Sequence, residues 1–285
     1  MLEDILVPVD GSDGADAAIR HAGDIAERFG GTVRVLFVAD TNRDSVTMVG
    51  TEVVDALEHE GERIVEDAAA ELSEAGIDCR TDVVQGKPAQ TIAEYADAHA
   101  DLVVMPTHGR SGISRYLLGS VTEKVVRLSP VPVVTVRMEE ARTPFPYEDV
   151  LVATDGSDAA AAAAALAVDI AADLDATLHV LSVADSGSLG LDVRSELSDA
   201  QLREAAEDAV SDVADRATEA GVENVVERVE TGRAADEIGS YVDAEGVDLV
   251  AMGTTGQGAT ERILLGGVTE KLIRSSPVPV LTVRE

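Results

Sequence analysis

The residues best placed to do chemistry lie in two near-copies, YLLGSVTEK (116–124) and ILLGGVTEK (263–271). In each, an apolar run stops at a glycine, Gly119 or Gly266, and a helical pattern begins. Ser120 stands three residues before Glu123, the spacing of a capping box. A helix starting there aims unpaired N–H groups and the positive end of its dipole outward, an arrangement that suits a phosphate. Upstream, Gly109 and Gly112 could let the chain wrap an anion in backbone amides, and Arg110 and Arg115 add positive charge. The same features also serve plain turn geometry, and Arg115 and Arg262 suit surface ion pairs equally well.

The elements that must position these loops occur twice. DILVPVDGSDGADAA (4–18) matches DVLVATDGSDAAAAA (149–163) at an offset of 145, and 109–137 matches 256–284 at an offset of 147. A period this long indicates duplicated domains, expected at 1–138 and 148–285 with a Pro-containing linker at 139–147. Each half alternates short β-branched runs with helical spacing. In the first half, strands are expected at DILVPVD, TVRVLFVAD (32–40), IDCRTDVVQG, DLVVMP and VPVVTVR, with helices over 14–29, 52–75, 88–99 and from Ser120. The second half repeats this, with strands near 149–154, 177–184, 223–230, 247–252 and 279–284; its Ala-rich stretch 160–172 fits the first helix. The expected fold class is α/β: two tandem five-stranded parallel sheets with helices on both faces. In such sheets ligands sit beyond the carboxyl ends of the strands, where strand order reverses. The stretches after the first, second and fourth strands are therefore the candidate site.

Composition narrows the partners. Net charge is −32, a field that repels DNA, RNA and anionic lipid. No run approaches the twenty apolar residues of a membrane span. The opening MLEDILVPVDGS carries acidic residues where a signal peptide needs basic ones, and the single cysteine, Cys79, allows no internal disulfide. These features suggest the cytosol. Lysine occurs only at 87, 124 and 271. Such an acidic, Lys-poor chain points to a halophile, where a Debye length of roughly 3 Å at molar salt tolerates self-repulsion; an acidic mesophilic protein with Arg-biased codons is the alternative.

The order strand–Asp, strand, strand, then THGRSGISRYLLGSVTEKV and SPVPVVTVR, found twice, resembles the universal stress protein family, and the chain looks like a tandem, UspA-like member. The resemblance implies a Rossmann-like, adenine-nucleotide-binding type of sheet, pairing of the two domains through their last strands, and room for further homo-oligomerisation. One branch of that family binds ATP and another does not. The ATP-binding branch has a Gly, two residues, a Gly, nine residues, then Gly and Ser or Thr. Here the second half offers Gly253, Gly256 and Gly266 but ends on Gly267, whereas the first half offers Gly109, Gly119 and Ser120 but has Pro106 in place of the first glycine. Pro106 has no N–H to donate. Gly267 loses a hydroxyl, a hydrogen bond of roughly 0.5–1.5 kcal/mol, and keeps its amide. ATP is thus expected in one or both domains, unequally if both.

By the same resemblance the nucleotide residues are Pro8, Val9, Asp10, Val38, Gly109, Gly119, Ser120 and Val121 in the first half. In the second half they are Ala153, Thr154, Asp155, Val183, Gly253, Gly256, Gly266, Gly267 and Val268. Asp10 and Asp155 could accept from a ribose hydroxyl or an adenine amine, or help hold Mg²⁺. Otherwise DGSD only makes a turn, with Ser12 or Asp13 as cap. Asp10 and Asp155 are read as site residues, Asp13 and Asp158 as caps. The side chains of Val38 and Val183 are core valines on any other reading. With so few aromatics, adenine would lie between aliphatic side chains.

Little else suggests catalysis. There is no GxxxxGK[ST] loop, no His pair at ligand spacing, and no dedicated metal site. His108 is a loop residue, and Lys124 and Lys271 lie one turn inside their helices. The leading expectation is a nucleotide-binding stress protein rather than an efficient enzyme, with slow hydrolysis left open. The alternative is a nucleotide-free tandem interaction module. A phosphotransfer enzyme using Asp10 as nucleophile lacks its acidic and Lys partners.

Overall fold

A computed structural model describes residues 2–41, 46–49, 52–109, 118–137, 145–184, 199–256 and 265–284. The chain divides into two units, Met1–Glu140 and Ala141–Glu285.

The first unit runs β1 (Asp4–Val9), α1 (Asp13–Phe29), β2 (Thr32–Asp40), β3 (Val46–Val49), β4 (Glu52–Asp55), α2 (Ala56–Glu74), β5 (Cys79–Gly86), α3 (Pro88–His99), β6 (Leu102–Pro106), α4 (Ser120–Leu128) and β7 (Val133–Val136). Its main sheet is parallel, in the order β5-β2-β1-β6-β7. Chain order reverses between β1 and β6, so the crevice that suits a ligand opens there. The apolar runs of β1 and β6 become its buried centre: Ile5, Leu6, Val7, Val103 and Val104 have no exposed surface. Residues 18, 19, 22, 25 and 26 of α1 fall on one buried face, as their spacing requires.

The second unit runs β8 (Asp149–Ala153), α5 (Asp158–Leu174), β9 (Thr177–Ala184), α6 (Asp199–Glu219), β10 (Val225–Thr231), α7 (Ala234–Glu245), β11 (Leu249–Gly253), α8 (Gly267–Ser275) and β12 (Val280–Val283). Its strand order, β10-β9-β8-β11-β12, is the same path repeated, and every pair is parallel. The alanines of α5 fulfil the helical reading, and Ala159, Ala160, Ala163, Ala164, Ala167 and Ala171 are buried. The strand positions follow the expectation closely in both units.

Three local expectations are corrected. The helix expected from residue 52 begins at Ala56, because Glu52–Asp55 pairs antiparallel with Val46–Val49 as a hairpin. Its Val and Thr content favours extended backbone over a helical start. Ser120 is not a cap: Gly119 holds that position, Ser120 is the first helical residue, and Glu123 N–H donates to the Gly119 carbonyl at 2.9 Å. The capping box read in SVTE is thus one register off. Asp13 and Asp158 are first helical residues too, and the caps are Ser12 and Ser157, which accept from Ala15 and Ala160 N–H at 3.3 Å each.

Candidate functional site

At the end of β8 the chain turns through DGSD. The Ser157 N–H donates to Asp155 Oδ1 at 3.0 Å, so the carboxylate closes its own turn. Its other oxygen faces the loop after β11: a Cβ placed on Gly256 would lie 2.6 Å from Asp155 Oδ2. In the first unit, Ser12 N–H donates to Asp10 Oδ1 at 3.1 Å, and a Cβ on Gly109 would collide with Asp10 Oδ2. The aspartate makes the turn, and its second oxygen lies beside the glycine of the facing loop.

The loops return to the sheet by one construction in both units. Gly119 N–H donates to the Thr107 carbonyl and Gly266 N–H to the Thr254 carbonyl, both at 2.8 Å. Thr122 Oγ1 donates to the Pro106 carbonyl at 2.8 Å, and Thr269 Oγ1 to the Gly253 carbonyl at 2.9 Å. These bonds fasten the starts of α4 and α8 to the tips of β6 and β11. Neither helix has a side-chain cap at its N-terminus. The amides of Ser120 and Val121, and of Gly267 and Val268, belong to a first helical turn with no intrahelical acceptor. Among the described residues none accepts a hydrogen bond from them.

The second unit encloses a cavity of 340 Å³ at this point. Nine residues expected from the sequence line it: Ala153, Thr154, Asp155, Val183, Gly253, Gly256, Gly266, Gly267 and Val268. The volume is in the range of small-ligand pockets. The lining includes the first turn of α8 and also an apolar wall, Leu202, Ala205 and Ala206 of α6 with Ile238 of α7. That apolar wall was missed from the sequence. Its spacing is that of any helix face against a sheet, and periodicity does not separate a core face from a cavity wall. Ser182 of β9, also in the lining, was missed too. Asp155 is the one charged residue among the described lining residues.

In the first unit Pro8 and Val9 end β1, Asp10 follows, and Val38 sits in β2 opposite Val84 of β5. Gly109 lies beside Asp10, and Gly119 lies beside Thr107 and Thr122 at the start of α4, where Ser120 and Val121 are the first helical residues. Gly112, Arg110, Arg115 and Arg262 lie outside the described residues, as does the linker core at 138–144. His108 shares a 2.9 Å hydrogen bond with Thr107 Oγ1, and burial, then the nearby charge of Arg137, hold its pKa below the usual value. Lys271 pairs with Asp236 of α7. Cys79 is a free, half-buried thiol whose pKa burial raises. Among the described residues no cluster of three or more His, Cys, Asp or Glu could hold a metal ion, and no helix is long and apolar enough to cross a membrane.

Comparison with known proteins places this geometry. The pattern of the universal stress protein family matches residues 1–137 and again 146–284. A universal stress protein of Methanocaldococcus jannaschii is 38% identical over 141 residues, 47% of this chain and 81% of that protein. A universal stress protein of Mycobacterium tuberculosis is 30% identical over 238 residues, 80% of this chain and 78% of that one. In fold, the chain is similar to the crystal structure of a universal stress protein from Archaeoglobus fulgidus, with a TM-score of 0.73 at 23% identity, covering 99% of this chain and 98% of that one. The chain belongs to the universal stress protein family and carries two of its domains in tandem.

Proposed function

We propose that this protein binds an adenine nucleotide, ATP carried with Mg²⁺, in the cavity of the second unit, and that it acts as a regulatory stress-response protein of the cytoplasm rather than as an efficient enzyme. One observation carries the reading: nine residues chosen from sequence line a single cavity of 340 Å³. Its lining combines two surfaces that a nucleotide would use. The helix dipole and first-turn amides at the start of α8 suit the phosphates, and the wall of α6 and α7 suits a flat base held between aliphatic side chains. Asp155 is within the lining and could accept from a ribose hydroxyl. Mg²⁺ commonly binds through one or two carboxylates plus phosphate oxygens, so the ion would come with the nucleotide, with Asp155 as its one described protein carboxylate. The described lining residues include no base–nucleophile pair, which fits a binding role with slow hydrolysis.

β7 and β12 each end their own unit's sheet. Such edges need a cover, and we include in the proposal that these two strands pair with each other, with self-association of the whole chain open to it. The acidic surface suits a halophile's cytoplasm. The competing reading, a nucleotide-free interaction module, draws support from a lining whose one charge among the described residues is a carboxylate.

The test is mass spectrometry of protein purified without added ligand, with a thermal shift in high salt. An adenine nucleotide in the preparation is expected. At 100 times Kd, ATP–Mg²⁺ would stabilise by about 2.7 kcal/mol, a shift of several degrees, and AMP would give none. No nucleotide and no shift at millimolar ATP would leave the interaction module as the reading.

A further inference from the structure

The two units share one site backbone but not the wall beside it. The ends of α2 and α6 fix the correspondence. Gly76 and Gly221 both have positive φ, 78° and 91°. Ile77 N–H donates to the Leu72 carbonyl as Val222 N–H does to that of Ala217, an offset of 145 throughout. β2 and β9 keep the same offset: Val33 and Leu178 each donate to the residue just before the third strand of the main sheet. On this alignment Phe37 stands for Ser182, Glu60 for Ala205 and Gly61 for Ala206. Ser182, Ala205 and Ala206 all line the second unit's cavity.

In the first unit the equivalent strand position carries a ring. Phe37 is buried, 6% exposed, under α2. Its ring lies so close to Gly61 that a Cβ there would come within 2.9 Å of Cε1 and Cγ. Contacts this short require displacement of one partner, so α2 has glycine where α6 has alanine. Phe37 and Gly61 form a large–small pair in place of the small–small pair Ser182 and Ala206. The exchange puts a larger side chain at the strand position whose counterpart lines the second unit's cavity. Glu60, half-buried, stands where Ala205 contributes a methyl to the wall.

We propose that Phe37 is a specificity-determining residue that fills the base side of the first unit, so that each chain holds one nucleotide, in the second unit. This rests on the nucleotide reading above and adds what excludes the first copy. The test is binding stoichiometry of the full-length protein, stripped of ligand, by equilibrium dialysis against ATP–Mg²⁺. One nucleotide per chain is expected. Ser182→Phe should weaken that site at least 100-fold, and Phe37→Ser should add a second site. Two equivalent sites in the wild type would overturn the inference while leaving the nucleotide reading intact. Wild-type affinity in a folded Ser182→Phe chain would overturn it as well, and this variant decides the matter if Phe37→Ser does not fold. A wild type that binds nothing would remove both the nucleotide reading and this inference.

Discussion

The tip of β6 and the tip of β11 occupy the same place in their units and reach it with different residues. Gly253 ends β11 against α5, where an added Cβ would lie 2.8 Å from the backbone of Ala159 and Ala160 and 2.9 Å from Ala159 Cβ. At the tip of β6 stands Pro106, and α1 offers the buried Gly14 where α5 has Ala159. Bulk has moved from helix to strand. The first glycine of the family's motif thus answers to helix packing in this chain, which explains how a proline can replace it.

A second difference follows from the same prolines. The Thr154 N–H donates to Leu181 of β9 and the Thr254 N–H to Val283 of β12, so positions 153 and 253, one residue earlier, face the strand on the other side. In the first unit these positions are Pro8 and Pro106, neither with an N–H. The β1–β6 ladder accordingly has two register pairs, Ile5↔Leu102 and Leu6↔Val103, where β8–β11 has four, reaching Ala153↔Met252. The first unit ends its β1–β6 ladder early at prolines, and the second keeps its strands paired to the tip. Equivalent architecture does not imply equivalent strand pairing at the crevice.

The comparison can be broken at four points. The largest expected effect concerns His21, buried in α1, where the second unit has the half-buried Leu166. Burial pushes the His21 pKa down from 6.5 to about 4. The unfolded chain therefore takes up a proton that the folded unit refuses. The neutral histidine's contribution is fully present above pH 6.5 and is lost as pH falls towards 4, on the order of 3 kcal/mol. His21→Leu should flatten this part of the stability profile in urea titrations from pH 7 to 4. Parallel profiles for variant and wild type would refute the assignment.

Next is Gly253→Ala, which should cost about 1–3 kcal/mol by overpacking. Ala159→Gly should recover part of it, copying the pair in the first unit. Additive costs in a double-mutant cycle would show that the two sites do not touch. Third, Gly256→Val should lower ATP affinity at least tenfold, about 1.4 kcal/mol, by driving its side chain into Asp155. Gly109→Val in the first unit should leave affinity unchanged, and equal losses from both would erase the difference between the copies. The smallest is Gly267→Ser. Nothing lies within 4 Å of a Cβ at Gly267. The hydroxyl present in Ser120 can be added there for a gain of roughly 0.5–1.5 kcal/mol in ATP binding. A calorimetric titration showing weaker binding would mean that the α8 start does not face the phosphates.

Much of this was legible because the chain is written twice. Buried parallel strands such as DILVPV and DLVVMP leave continuous apolar runs, and the repeat confirmed each one. The site loops followed from the rule that α/β crevices open beyond strand ends. The hairpin at 46–55 was not legible, since its four-residue strands look like the first turn of the helix behind them. The capping error at Ser120 has a similar cause: a Ser–Glu spacing survives a shift of one residue, and only the Gly119 carbonyl, accepting from Glu123, fixes the register. The wall of Leu202, Ala205 and Ala206 carries no mark to separate it from core. Phe37 looked like an ordinary strand residue until Gly61 and Ser182 gave it a context.

The most direct test of the central claim is amide chemical-shift mapping of the isotope-labelled protein during titration with ATP–Mg²⁺ at high salt. The account expects the largest shifts at Gly267 and Val268, with Val183 moving and Ser120 and Val121 still. Shifts absent from the start of α8, or equal at the start of α4, would contradict it.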